Sequence, residues 1–131
     1  MEFLKLIFAH LFAVVQPCSV SVNGSSGFIS SSGTKDYRHC TWFITVPSNH
    51  TVKLKFTIFR LPIHFWSQAK IQVHDGKGKN DTVLGIFSGE RPPFIIQTSG
   101  PFMMLTLQKK YFDTHSNFQG TFINSRKGKR K

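Results

Sequence analysis

Acidic side chains are scarce in this sequence: 6 Asp and Glu stand against 17 Lys and Arg in 131 residues, a formal charge of +11. Cysteine is scarcer still, with only Cys18 and Cys40. Two cysteines exclude a disulfide-dense miniprotein and a Cys-based zinc finger, which needs more thiolates at tighter spacing. After the N-terminal segment no apolar run approaches the roughly 18 residues of a membrane-spanning helix. The length admits one domain of ordinary size and excludes a multidomain enzyme.

Catalytic motifs are missing as well. The six His fall at positions 10, 39, 50, 64, 74 and 115, with no His-Glu-x-x-His among them. His64 and His74 can approach only across a hairpin, and a zinc site normally takes three or four ligands. Serine is abundant without a Gly-x-Ser-x-Gly elbow. Asp75-Gly76-Lys77-Gly78-Lys79 lacks phosphate-loop spacing and reads as a hairpin tip. The expectation is a non-enzymatic protein with no cofactor and no metal.

What is present begins with an address. Residues 1–21 have the form of a secretory signal peptide: Lys5 supplies the positive charge, Leu6 to Val15 is apolar apart from His10, and Pro17 breaks the helix before Ser19-Val20-Ser21. Cleavage after Ser21 removes Cys18 and leaves Cys40 alone. Cleavage nearer Gln16 keeps Cys18 and allows a Cys18–Cys40 bridge, which an oxidising compartment favours. Both alternatives stand on the sequence. Three sequons follow, at Asn23, Asn49 and Asn80, all in polar, turn-like stretches. Each is an acceptor for N-glycosylation in a secreted, extracellular chain.

From Gly27 onward the apolar period is two, the mark of strands with one wet face. Val52, Leu54, Phe56 and Ile58 alternate with Lys53, Lys55 and Thr57; Trp42, Ile44 and Val46 alternate with Phe43 and Thr45; Met103, Leu105 and Leu107 alternate with Met104 and Thr106. Turn signals separate these runs at Pro47-Ser48-Asn49, Ser88-Gly89, Pro92-Pro93 and Ser99-Gly100-Pro101. Short strands at regular spacing predict an all-β sandwich.

The order of several fragments resembles the CUB domain family. Gly27-Phe28-Ile29-Ser30-Ser31 is similar to its opening stretch, and Cys40-Thr41-Trp42-Phe43-Ile44-Thr45-Val46-Pro47 to its Cys-x-Trp-x-Ile-x-Val-Pro segment. Ile71-Gln72-Val73-His74-Asp75-Gly76 and Leu84-Gly85-Ile86-Phe87-Ser88-Gly89 are similar to two later segments, and Gly120-Thr121-Phe122 completes the order. The resemblance runs from about Gly24 to Asn124 and implies an antiparallel β-sandwich of jelly-roll type. The organisation it suggests is a signal peptide at 1–21, a CUB-like domain at 22–124 and a basic tail at 125–131.

Three departures from the family pattern matter. Its second disulfide is missing at both ends: one region reads Phe65-Trp66-Ser67-Gln68, and Ser88 replaces the partner cysteine. Aromatic burial, including Phe65 and Trp66, is expected to offset part of the roughly 2–5 kcal/mol that such a loss costs. The acidic positions that hold calcium in many members fall at Pro62, Ala69 and Lys110, so calcium is not expected. The segment from Ser31 to Cys40 is short and retains only Tyr37 of a Tyr-Pro pair.

The cationic surface is the remaining signal. Removing residues 1–21 deletes Glu2 and Lys5 and leaves the charge at +11. Lys53 and Lys55 share a strand face, Lys77 with Lys79 and Lys109 with Lys110 form pairs, and Arg126, Lys127, Lys129, Arg130 and Lys131 end the chain. Such clusters attract polyanions through summed potential and counterion release. In a secreted protein the accessible polyanion is a sulfated glycan, so a spermadhesin-like glycosaminoglycan binder using Lys53, Lys55, Lys109, Lys110 and the tail is the first functional expectation. The alternative is a protein-recognition ectodomain using exposed aromatics such as Phe65 and Trp66, complete in itself or part of a truncated receptor. The tail also admits a dibasic processing site, a peptide-amidation signal or a nuclear-localisation patch, the last opposed by the signal peptide. A host-defence role on anionic membranes is a further reading, opposed by the lack of an amphipathic helix. Nucleic acid is not an expected partner.

Overall fold

The structure, a computed structural model, describes residues 18–63, 68–78, 80–110 and 115–126. Residues 1–17 of the proposed signal peptide, His64, Phe65, Trp66, Lys79 and the tail beyond Arg126 lie outside the described residues. Ten strands are described: β1 (Cys18–Asn23), β2 (Ser26–Ser30), β3 (His39–Thr45), β4 (His50–Leu61), β5 (Ala69–Asp75), β6 (Val83–Phe87), β7 (Gly89–Arg91), β8 (Phe94–Gln97), β9 (Phe102–Lys109) and β10 (Asn117–Arg126).

The strands form two sheets of five. The first has the order β1-β3-β9-β5-β6, antiparallel except for the parallel β1–β3 pair. The second runs β2-β10-β4, with β7 and β8 sharing the far edge of β4. Alternation explains which faces meet. Cys40, Trp42 and Ile44 on β3, Met103, Leu105 and Leu107 on β9, and Ile71 and Val73 on β5 are buried against Val52, Leu54, Phe56, Phe118 and Phe122 of the second sheet.

Alternation through β4 does not run as far as the sequence suggests. Ile58 is half-buried, and Phe59 and Leu61 take the inward positions instead. A bulge is responsible: the register with β10 shifts between Gln119 and Gly120, and Thr57 Oγ1 donates to the Gln119 carbonyl at 3.3 Å. One extra residue reverses the side on which later side chains point. The shift delivers Phe59 to an aromatic cluster in which Phe56 packs on Phe94 (ring centroids 4.9 Å), Phe59 on Phe94 (5.4 Å) and Phe87 on Phe94 (5.0 Å). Phe87 immediately precedes Ser88, so the cluster ends one residue from the position where the resemblance implies a cysteine of the second disulfide.

The chain enters the sandwich earlier than residue 22. β1 begins at Cys18, pairs along its length with β3 and is tied to it by a Cys18–Cys40 disulfide. A boundary at residue 22 cuts through this strand, and removal of residues 1–21 would take four of its six residues.

Register defines two poles. One gathers the turns β1–β2, β3–β4, β5–β6 and β8–β9, laced together by Gly24 N–H to the Thr45 carbonyl, Val46 N–H to the Pro101 carbonyl and Ser99 N–H to Asp75 Oδ1. The other gathers residues 31–38, 62–63, 68, 88 and 110, tied by Lys110 N–H to the Gln68 carbonyl and Phe118 N–H to Ser31 Oγ.

Candidate binding surface

The outward face of the second sheet presents two cross-strand rows. Ile95, Lys55, Thr121 and Phe28 form one; Gln97, Lys53, Ile123 and Ser26 form the next. Phe28 is 55% exposed, Ile95 53% and Ile123 52%. Lys55 is exposed and Lys53 half-buried, and neither row contains a carboxylate. Three large apolar side chains that leave more than half their surface wet, beside two cations, make a patch of the kind that marks an interaction site.

Of these residues only Lys53 and Lys55 are expected from the charge pattern of the sequence; the exposed apolar residues are not. A signal was available. Phe28-Ile29, Ile95-Ile96 and Phe122-Ile123 are adjacent apolar pairs within strands, and alternation sends one member of each pair outward. Ile29 and Phe122 are buried and Ile96 half-buried, so Phe28, Ile123 and Ile95 are the outward members.

The other expected cations do not join this face. Lys109 is buried, and its Nζ donates to the Thr34 carbonyl at 3.1 Å, so this ammonium is a structural group rather than a surface contact. Alternation explains it, since Lys109 is in phase with Met103, Leu105 and Leu107. Lys110 lies at the pole farther from Lys53. Arg126 pairs with His50 at the end of β10, one residue out of phase with Lys53. Asn23, Asn49 and Asn80 are all exposed.

A cleft at the Lys110 pole is lined by Gln68, Ala69, Lys70, Ser88, Lys109 and Lys110 among others. It includes two of the three positions where the resemblance implies calcium ligands. Three lysines and no carboxylate line it, the wrong donor set for a hard dication. Among the described residues no group of three His, Cys, Asp or Glu comes together. His74 is buried on β5, with Nδ1 lacking a hydrogen-bond partner.

Residues 18–122 match the CUB domain family. The chain belongs to that family. Cubilin of Sus scrofa is 30% identical over 114 residues, 82% of this chain but 3% of cubilin. Procollagen C-endopeptidase enhancer 1 of Homo sapiens is 35% identical over 81 residues, 58% of this chain and 18% of that protein. The chain therefore spans a small part of these curated relatives. In structure, the Ca2+-bound CUB2 domain of MASP-1 superposes with a TM-score of 0.62 at 21% identity, covering 81% of this chain and 99% of that one. That likeness fixes the fold alone. CUB domains are non-enzymatic interaction modules of extracellular proteins. Among the described residues no helix is long and apolar enough to cross a membrane.

Proposed function

We propose that this chain is a secreted CUB module that recognises an extracellular protein through the outer face of β2-β10-β4-β8. The observation that carries the reading is the placing of Phe28, Ile95 and Ile123, each more than half exposed, around Lys53 and Lys55. The apolar residues supply the area that association removes from water. The lysines favour a partner with carboxylates at matching positions and speed its approach.

Binding of the fluorescently labelled module to cultured cells tests this. Phe28→Ser combined with Ile123→Ser is expected to weaken binding at least tenfold while circular dichroism stays that of the parent. Trypsin treatment of the cells is expected to remove the binding and heparinase to leave it. Unchanged affinity in a folded double variant would sink the proposal.

Lys53, Lys55 and the basic residues following Arg126 favour a second reading, a sulfated glycan held by charge. The strand lysines and the point where the tail departs share the pole of the β3–β4 turn. Removal of the cell signal by heparinase would select this reading.

A further inference from the structure

The three sequons are separated by 26 and 31 residues in the chain, yet the register brings them to one place. Asn23 ends β1 opposite Thr45, the last residue of β3. Asn49 occupies the β3–β4 turn that follows, with a left-handed φ of 65° that asparagine tolerates better than most residues. Asn80 lies in the β5–β6 turn, closed by the Asp75 N–H to the Thr82 carbonyl. The Ser99–Asp75 and Val46–Pro101 hydrogen bonds lace that turn and the β3–β4 turn to the β8–β9 turn. All three asparagines are exposed. No sequon of the described residues falls at the opposite pole or on the Phe28–Lys55–Ile95 row.

We propose that this pole is a glycan cap. Asn23, Asn49 and Asn80 each carry an N-linked oligosaccharide, and the sugars close this pole to protein contacts while leaving the sheet face and the opposite pole bare. The proposal rests on the secretory route of the proposed function. In each transfer the asparagine amide nitrogen forms a C–N bond to the anomeric carbon of an oligosaccharide carried on a lipid diphosphate. The C–O bond to the diphosphate breaks, the lipid diphosphate leaves and one amide proton is lost. A three-antenna cap suits a small basic module. It adds hydrated bulk at one end, where neighbouring copies or polyanions would otherwise gather, and so restricts the directions from which a partner can approach.

The full chain, expressed in mammalian cells and collected from the medium, provides the test. Enzymatic release of N-glycans in 18O-water marks every formerly glycosylated asparagine, and peptide mapping is expected to find the mark at Asn23, Asn49 and Asn80. Native deglycosylation of the folded product is expected to change cell binding by less than twofold. Lys55→Asn makes a new sequon with Thr57 in the middle of the sheet face. Its glycosylated form is expected to lose binding at least tenfold, and Lys55→Gln to lose much less. Marks at fewer than two of the native asparagines, or a chain that never enters the secretory pathway, would overturn the cap. So would a tenfold loss of binding on native deglycosylation. Three marks on a module that binds no cell would leave the cap standing and remove the recognition face, so the two ideas fail separately.

Discussion

Lys109 illustrates how a charge can be part of a core. Its stem follows the inward phase of β9, and the ammonium ends on the Thr34 carbonyl, in a loop whose Thr34 Oγ1 donates to the Ser31 carbonyl at 2.6 Å. Ser31 Oγ in turn accepts the Phe118 N–H at 3.0 Å. The ammonium therefore fastens the β2–β3 connection to the end of β9. Hydrogen bonds to charged groups contribute about 1.5–3 kcal/mol. Lys109→Ala is expected to lower the stability measured by urea denaturation by about 2 kcal/mol while leaving heparin retention unchanged. Reduced retention at unchanged stability would return Lys109 to the surface. Gly27 is likewise fixed by its neighbour, since an added Cβ there would meet the buried Phe122 ring at 2.5 Å and the ring or the strand would have to shift.

At the scale of elements, β1 is the strand with most at stake. It lies at the edge of its sheet, it is the parallel member, and its ladder is backed by one covalent tie across a separation of 22 residues. A closed loop of that length is worth about 3 kcal/mol in chain entropy. Cys18→Ser with Cys40→Ser is expected to cost about that much in urea denaturation, and the secreted parent is expected to begin at or before Cys18 and to gain two hydrogens on reduction. A product beginning at Val22, with the stability of the double variant, would show that the tie is not formed. Most strands were legible because an apolar period of two survives in β3, β4 and β9, where one side chain in two meets the opposite sheet. Two features were not. The bulge at Thr57 depends on the pairing of β4 with a strand about sixty residues away, which no local pattern records. The exposed apolar residues are visible as adjacent pairs, but which member turns outward is decided by the neighbours each strand acquires. Lys109 is the opposite case: the period of β9 already assigned it inward, and its charge argued against the pattern.

For the whole molecule, the formal charge of +11 describes less than its division does. From Lys53 to Leu61, β4 covers eight residue steps, about 26 Å at the usual rise per residue. Physiological salt screens over about 8 Å, so cations at the two poles act as separate groups. Lys110 and Lys70 belong to one group; Lys53 and Lys55, in the half of β4 nearer the β3–β4 turn, and Arg126 at that same end belong to the other. A polyanion engaging one group releases only that group's counterions. Each engaged cation adds about −0.9 to the slope of log affinity against log salt, the value found for duplex nucleic acid. Heparin binding measured from about 0.05 to about 0.3 M salt, roughly one third to twice the physiological ionic strength, separates the possibilities. Lys53→Ser with Lys55→Ser is expected to reduce the magnitude of the slope by about 2, and deletion of residues 127–131 by about 4. Lys110→Ser is expected to leave it unchanged. Equal effects from Lys110→Ser and the strand pair would mean that a single chain of sulfates spans both poles, and the separation of the two cationic groups would then have no bearing on what the module holds.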